Sequence, residues 1–352
     1  MSPSVVLLFV AGLVLLTVGA EGLVRGATRL AAAAGIPPLV VGLTVVAYGT
    51  SAPEVAVSVR SAFGGQAALA LGNVVGSNVF NVLFILGLSA IVSPLLVQRQ
   101  LVRLDVPFMI GVSFLPVLLG LDGTIGRWDG VFLVVLAVAY TILLLRMGRA
   151  EPMDGTVVPE GTLLATTVKS LLFLLGGLAL LVVGAEWLVE GAVIFARSLG
   201  VSDVVVGLTV IAAGTSLPEL ATSVVASLRG QRDIAVGNVV GSNVFNILAV
   251  LGITSAVAPE GIPVPTGVLT FDLPVMVAVA LACLPIFFTG WRIERWEGAV
   301  FLAYYVIYIA ALVLDATDHP GHALFGTAVL GFVIPLTLLT AVGIWWRERK
   351  ER

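Results

Sequence analysis

Charged side chains are scarce in this sequence. Asp, Glu, Lys and Arg make up 11% of its 352 residues, where soluble domains carry about a quarter. The single cysteine, Cys283, lies in an apolar stretch, which excludes a disulfide framework and a thiolate metal cluster. No tract of Lys and Arg suggests a nucleic-acid partner, and the net charge of -3 adds little. The composition therefore disfavours a water-soluble protein.

Apolar residues dominate instead, at 59% of the chain. They form stretches of about 20 residues, long enough to cross a hydrocarbon core of roughly 30 Å. We therefore predict an all-α polytopic membrane protein whose main partner is the lipid bilayer. The eleven predicted spans lie near 5–33, 38–62, 67–93, 105–121, 128–147, 166–198, 203–228, 234–257, 267–289, 294–314 and 323–346.

The sequence contains an internal repeat. The ten residues Gly72 to Asn81 recur unchanged at Gly237 to Asn246, and the same offset carries GTSAPE (Gly49–Glu54) onto GTSLPE (Gly214–Glu219). The first span also has a twin, since GAEGLVRGA is matched by GAEWLVEGA, so we read it as part of the fold and not as a signal peptide. The predicted organisation is a first five-helix repeat at 1–148 (motif 40–87), a cytoplasmic linker at 149–165, a second five-helix repeat at 166–318 (motif 205–252), and an additional helix with a basic tail at 319–352.

The placement of Lys and Arg predicts the orientation. With the N-terminus outside and the C-terminus inside, all basic residues except Arg60, Arg127 and Arg197 lie at inner ends. Each repeat holds five spans, an odd number, so the second copy enters the membrane from the opposite side. This inverted-topology repeat is typical of secondary transporters, whose substrate site lies near the midplane where the halves meet.

The second span carries a dense group of oxygen ligands. Glu54 lies near its middle, where an ionised carboxylate costs several kcal/mol unless it is paired or solvated. Thr50 and Ser51 precede it by four and three residues, so we expect one shared helical face. Gly49 and Pro53 disturb the helix and free carbonyl oxygens, which is tolerated only around a cavity. Hard oxygen ligands of this kind suit Ca²⁺, and by the same reasoning Na⁺.

The third span adds Asn73, Ser77 and Asn81 at four-residue spacing, with Asn78 one residue off that stripe. The second repeat supplies the same groups from the opposite side. Two carboxylates placed close together need a proton or cations, so occupancy of one charged centre by Ca²⁺ or by Na⁺ is a physical basis for exchange. The matching residues are Glu219, Thr215, Ser216, Asn238, Ser242 and Asn246.

Other interpretations apply to individual residues. The glycines Gly72 and Gly76, like Gly237 and Gly241, are also typical of close helix packing. Membrane Ser and Thr often bond back to their own helix. We assign Glu21 and Glu186, near helix ends, to surface or interface roles. We predict that Asp272 has no acidic twin in the first half, and we expect an interfacial or packing role for it.

At GTSAPE, GTSLPE and the two copies of GNVVGSNVFN, the chain resembles the cation/Ca²⁺ antiporter superfamily, and most closely its prokaryotic Na⁺/Ca²⁺ exchanger branch. The resemblance covers about residues 7–314. It implies that Glu54 and Glu219 are the central Ca²⁺ and Na⁺ ligands and that the first and sixth spans slide to alternate access. It also implies a supporting set of oxygens from Thr50, Ser51, Thr215, Ser216, Ser77, Ser242, Asn81, Asn246 and the backbone carbonyls of Ala47 and Ala212. Helix breaks would fall at Gly49, Pro53, Gly214 and Pro218.

The resemblance also bears on the coupling ion. Three Na⁺ for one Ca²⁺ is the family's usual stoichiometry. Some K⁺-dependent relatives have an aspartate where this chain has Asn246, which favours K⁺-independent exchange here. The H⁺-coupled branch typically places a further acid after the GN of each repeat, where Val and Ser residues follow in this chain. This chain also has no histidine within its predicted first ten spans, since both follow at His319 and His322. Both observations favour Na⁺ coupling over H⁺ coupling.

The sequence therefore predicts a monomeric Na⁺/Ca²⁺ antiporter of the plasma or inner membrane, without a cofactor. An H⁺/Ca²⁺ or other divalent-cation antiporter is the closest alternative. An intramembrane metal-dependent hydrolase is disfavoured, because the sequence has no HExxH motif and no nucleophile elbow. A passive cation channel would seldom need two inverted halves around one site.

Overall fold

The structure is a computed structural model that describes residues 3–150, 163–201, 203–288 and 291–317, nearly all of them helical. Most of the predicted linker and the whole of the predicted eleventh span lie outside the described residues. The long apolar helices match the predicted spans to within a few residues. They are Val5–Ala34, Ala67–Val92, Leu101–Leu119, Arg127–Gly148, Thr167–Ser198, Arg232–Val257, Val268–Phe287 and Arg295–Ala316.

The second predicted span is a broken helix. Pro38–Thr50 and Ala52–Phe63 meet at a bend of 40° at Ser51. Pro53 lies in the first turn of the later helix, where the missing N–H is not needed. The twin segment consists of Asp203–Val206, Gly207–Ile211 and Ala212–Gly214 followed by Leu217–Leu228, with Pro218 in the same role. The predicted breaks are therefore present in both repeats of this multi-pass membrane protein.

The prediction that Thr50, Ser51 and Glu54 share one helical face was wrong. Thr50 ends one helix, Ser51 occupies the bend and Glu54 lies in the first turn of the next helix. Because the helix axis changes direction between them, the hydroxyls are free to reach the other repeat. This difference decides the geometry of the site described below.

Matched stretches of π-helix, which the sequence pattern did not reveal, occur in both repeats. Asn81–Leu86 and Asn246–Leu251 each begin at a predicted site asparagine. Such wide turns occur mostly as bulges inside α-helices and often mark functional sites. The other matched stretches are Gly42–Val46 with Gly207–Ile211, and Leu101–Asp105 with Val268–Asp272.

The two repeats interlock. A short ribbon pairs Leu95–Leu96 with Arg292–Ile293, and a second pairs Thr124–Ile125 with Ile262–Pro263, so both ribbons join one repeat to the other. Glycines also allow close contact between helices of different repeats. A Cβ on Gly298 would lie 2.5 Å from the carbonyl oxygen of Gly87, and a Cβ on Gly130 would lie 2.6 Å from that of Gly252.

Burial separates the bundle into a centre and a flank. In the most apolar stretch of Arg232–Val257, 100% of the residues are buried, and in that of Ala67–Val92 78% are buried. In Val5–Ala34 and Thr167–Ser198 the corresponding shares are 22% and 28%. The two flanking helices pack closely on each other through glycines such as Gly19 and Gly177. The two copies of GNVVGSNVFN thus lie at the centre of the molecule, where they position the site.

Candidate cation-binding site

Two buried carboxylates face each other across the repeat interface. Ser216 Oγ donates a hydrogen bond to Glu54 Oε1 at 3.1 Å, and Ser51 Oγ donates to Glu219 Oε1 at the same distance. Each serine precedes the glutamate of its own repeat by three residues, so the reciprocal bonds bring the two carboxylates together. Both glutamates are 0% exposed.

The backbone supports negative charge at this point. Glu54 and Glu219 each lie in the first turn of their helices, Ala52–Phe63 and Leu217–Leu228. The N-terminal end of a helix carries a partial positive charge from its unpaired N–H groups. The bend in each broken span therefore turns a favourable helix end toward a carboxylate in the interior of the bundle.

A second reciprocal set fixes the breaks to the central helices. Thr50 Oγ1 donates to Oδ1 of Asn238 at 3.1 Å, and Thr215 Oγ1 donates to Oδ1 of Asn73 at 3.2 Å. The amide nitrogens of Asn73 and Asn238 then donate, at 3.0 Å each, to hydroxyls that follow the glutamates by four residues, those of Ser58 and Ser223. These two serines were missed from the sequence, although a Glu-x-x-x-Ser pattern at the repeat offset marks them.

A group of four asparagines closes the centre. Asn81 Nδ2 donates to Asn243 Oδ1 at 3.1 Å, and Asn246 Nδ2 donates to Asn78 Oδ1 at 3.0 Å. All four are at most 2% exposed. Asn78, which the spacing placed off the polar stripe, is therefore part of the centre, and so is its twin Asn243.

Four buried carboxylate and amide oxygens of the site lack a hydrogen-bond partner among the described residues. They are the second carboxylate oxygens of Glu54 and Glu219 and the carbonyl oxygens of Asn81 and Asn246. A buried polar atom without a partner costs about 1–3 kcal/mol, and more when it is charged. Two carboxylate and two amide oxygens form a donor set that suits a hard cation such as Ca²⁺.

The remaining predicted ligands are placed unequally. Ser77 Oγ lies 3.0 Å from Ser216 Oγ, whereas its twin Ser242 is buried with no partner among the described residues. The carbonyl of Ala47 accepts from the backbone N–H of Ser51 at 3.0 Å. In the second repeat the backbone N–H of Ser216 instead donates to the carbonyl oxygen of Ala213 at 3.2 Å. Ala213 follows the predicted ligand Ala212 in the short helix Ala212–Gly214.

Glu21 lies apart from this centre. Its carboxylate bonds to Arg25 on the same helix and to Arg229 Nε at 2.8 Å, which agrees with the interface role expected from the sequence. Glu186 is exposed.

The expectation that Asp272 lacks an acidic twin was wrong. Asp105 and Asp272 end the matched π-helical stretches Leu101–Asp105 and Val268–Asp272, and each accepts a bond from a tyrosine hydroxyl. Tyr140 donates to Asp105 at 2.9 Å and Tyr308 donates to Asp272 at 3.0 Å. The pair was missed because the separation in sequence between these two stretches is two residues longer than the separation between the two copies of the motifs. Both stretches nevertheless read Asp-x-Pro.

The two repeats differ in how tightly the site is covered. A Cβ on Gly241 would lie 2.6 Å from the carbonyl oxygen of Leu43, and Gly237 is similarly covered. Among the described residues, no atom lies within 4 Å of a Cβ built on Gly72 or Gly76, and Gly72 is exposed. The same sequence is thus closely packed in one repeat and loosely packed in the other.

Side chains near these glycines show the same difference. Leu69 is 57% exposed, whereas its twin Ile234 is 0% exposed. Asn73 and Thr215 are partly exposed, whereas Asn238 and Thr50 are buried. The loosely packed region therefore lies along the first half of Ala67–Val92.

Comparison with known proteins decides the family. Residues 4–146 and 169–314 match the family described as sodium/calcium exchanger protein. The chain belongs to the sodium/calcium exchanger family. The resemblance predicted from GTSAPE and its repeats is therefore confirmed.

Several relatives match this chain along nearly their full lengths. It is 38% identical over 304 residues to the putative antiporter CaxA of Alkalimonas amylolytica, covering 84% of this chain and 95% of that protein. It is 32% identical over 343 residues to the sodium/calcium exchanger MaX1 of Methanosarcina acetivorans, covering 87% and 97%. A solved structure of the sodium-calcium exchanger NCX_Mj, soaked with Na⁺ and Ca²⁺, matches with a TM-score of 0.76 at 34% identity, covering 88% and 99%. The predicted all-α exchanger fold is thus confirmed.

Proposed function

We propose that this chain is a secondary active antiporter that exchanges Na⁺ for Ca²⁺, without K⁺, at a site formed by Glu54 and Glu219 near the membrane midplane. The observation that carries the proposal is the set of four unpartnered buried oxygens from Glu54, Glu219, Asn81 and Asn246. One Ca²⁺ neutralises both carboxylates. Two Na⁺ spread over the same centre and its flanking hydroxyls do so equally, and a third Na⁺ adds one net positive charge.

The flanking oxygens complete the proposed ligand set. Ser77 and Ser242, with the hydroxyl or backbone oxygens of Thr50, Ser51, Thr215 and Ser216, would supply neutral donors for Na⁺. The carbonyls of Ala47 and Ala212 lie at the ends of the half-helices that precede the breaks. In the structure as it stands, several of these hydroxyls bond across the repeats, so ion binding exchanges protein partners for the cation.

Residue types around the centre favour Na⁺ coupling over the alternatives. An amide at Asn246 adds no third negative charge, which supports K⁺-independent exchange. A proton-coupled cycle would need groups that exchange protons with the solution during transport, and besides Glu54 and Glu219 themselves the predicted first ten spans offer no histidine for that role. The bonds that Asp105 and Asp272 make to tyrosines account for those two carboxylates structurally.

The unequal covering of the two repeats supports alternating access. With the N-terminus outside, the loosely packed region at Gly72 and Gly76 would open to the cell exterior, and the closely packed region at Gly237 and Gly241 would face the cytoplasm. The two copies of GNVVGSNVFN are identical, so each could take the position of the other. The opposite state would bring 203–214 onto Gly72 and Gly76 and release Pro38–Thr50 from Gly237 and Gly241. Movement of the long helices Val5–Ala34 and Thr167–Ser198 across the bundle would accompany that exchange.

The proposed direction of transport is Ca²⁺ extrusion across the plasma or inner membrane. If three Na⁺ enter for each Ca²⁺, one net charge moves per cycle. A membrane potential of 100 mV then contributes about 2.3 kcal/mol per turnover.

The coupling ion is tested in proteoliposomes with Na⁺, K⁺ and H⁺ gradients imposed one at a time. We expect Ca²⁺ uptake only into Na⁺-loaded vesicles, with an initial rate that is unchanged when external K⁺ is replaced by choline. Uptake driven by a pH gradient without Na⁺ would instead establish the H⁺/Ca²⁺ alternative.

The ligand assignment is tested by Glu54→Gln and Glu219→Gln. Each variant removes one negative charge and keeps the size of the side chain, so Ca²⁺ uptake into Na⁺-loaded vesicles should fall by at least a hundredfold, which corresponds to about 2.7 kcal/mol. Glu186→Gln is the matched control, because its carboxylate is exposed and away from the centre. Normal uptake by Glu54→Gln in correctly folded protein would refute the assignment.

The access proposal is tested by the matched variants Gly76→Ala and Gly241→Ala. A methyl group at residue 76 fits the state described here but would clash in the opposite state, so exchange should fall at least tenfold while Ca²⁺ binding from the open side is retained. A methyl group at residue 241 should instead disfavour the present state. Gly111→Ala, where the described residues leave open space, is the control. Equal exchange rates for Gly76→Ala and Gly111→Ala would contradict the proposal.

A further inference from the structure

The polarity of the two amides in the centre needs an explanation. An asparagine side chain has an oxygen on one side and an NH₂ group on the other, and rotation by half a turn exchanges them. Only the oxygen can bind a cation. Asn81 and Asn246 both present the oxygen without a protein partner, so some other group must hold the NH₂ side.

In the first case the holding group is Asn243. Its Oδ1 accepts from Asn81 Nδ2 at 3.1 Å, while its own Nδ2 donates to the sulfur of Met109 at 3.7 Å. A thioether has no hydrogen to donate and only accepts. Met109 therefore sets the direction of the Asn243 amide, and Asn243 in turn sets the direction of the Asn81 amide.

The second case repeats this arrangement with the repeats exchanged. Asn78 Oδ1 accepts from Asn246 Nδ2 at 3.0 Å, and Asn78 Nδ2 donates to the sulfur of Met276 at 3.6 Å. Asn78 Nδ2 also donates to the backbone carbonyl of Asn243 at 3.2 Å. That carbonyl, like the sulfur, can only accept, so the second series has an additional anchor.

The methionines are placed as a matched pair. Met109 and Met276 follow Asp105 and Asp272 by four residues, and they are 0% and 2% exposed. The chain has only five methionines. Two of them thus lie at equivalent positions, where each contacts an asparagine of the opposite repeat. Leucine would fill a similar volume but would accept no hydrogen bond.

We propose that Asn78 and Asn243, oriented by Met276 and Met109, are positioning residues that hold Asn246 and Asn81 with their carbonyl oxygens toward the transported cation. The proposal rests on the proposed function of this site. The two series, Met109–Asn243–Asn81 and Met276–Asn78–Asn246, each cross between the repeats twice. Ion affinity at the centre is thereby linked to the packing of Leu101–Leu119 and Val268–Phe287.

The first test replaces the sulfur alone. Met109→Leu should raise the KM for Ca²⁺ about three- to tenfold, and Met276→Leu should raise it less, because Asn78 keeps its bond to the backbone of Asn243. Ser255→Ala, which removes a buried hydroxyl that bonds within its own helix at 2.7 Å, should leave the KM unchanged. A KM for Met109→Leu equal to that of wild type would overturn the role of the sulfur.

The second test is a rescue. Asn243→Leu removes the acceptor of the Asn81 NH₂ group and should raise the KM for Ca²⁺ at least tenfold. A carboxylate presents oxygen on both sides, so adding Asn81→Asp to Asn243→Leu should recover most of that loss, relative to Asn81→Asp alone. If Asn243 served packing only, Asn243→Leu would raise the KM as much in the Asn81→Asp background as in wild type, and that result would overturn the proposal.

Ca²⁺-dependent thermal stabilisation of the purified protein separates this proposal from the proposed function. If wild type binds Ca²⁺ without Na⁺-driven exchange, and Asn243→Leu and Met109→Leu shift the half-saturating Ca²⁺ concentration upward, the positioning role stands while the function fails. If wild type exchanges Na⁺ for Ca²⁺ and both variants bind Ca²⁺ as it does, the positioning role fails alone.

Discussion

Two carboxylates buried within an apolar bundle are the constraint on which the rest of the structure depends. Glu54 and Glu219 are fully buried, and each is bonded to a serine of the opposite repeat. Removing an ion from water without a partner costs several kcal/mol. The protein meets part of that cost with hydroxyl donors and helix N-terminal ends, and it leaves one oxygen of each carboxylate unpartnered. A cation is the natural complement of such a centre.

The second organising feature is that one sequence occupies two environments. The copies of GNVVGSNVFN are identical, yet Gly237 and Gly241 contact the backbone of Pro38–Thr50 while Gly72 is exposed. No difference in local propensity explains this, because the residues are the same. Packing against the surrounding helices therefore decides, and the proposed alternating access would exchange the roles of the two copies. Glycine suits this position because it permits close contact in one state and leaves a path in the other.

Much of the site could be predicted from the sequence, because its residues are repeated at a constant offset. Glu54, Ser51 and Asn81 were found in this way, and so was the break at Pro53. The direction of the serine bonds was not, since a pattern within one span does not show which partner lies across the interface. Asp105 and Met109 were missed for a similar reason: their twins lie at a slightly different offset, and their contacts cross between repeats. The π-helical turns at Asn81 and Asn246 have no signal in the residue pattern that we could identify.

A structure determined with Ca²⁺ bound tests the central claim most directly. The account predicts one ion between the two repeats, with oxygens of Glu54, Glu219, Asn81 and Asn246 at about 2.3–2.6 Å, the usual range for Ca²⁺. An ion held elsewhere in the bundle, or a centre in which these two carboxylates turn away from each other when Ca²⁺ is present, would contradict it.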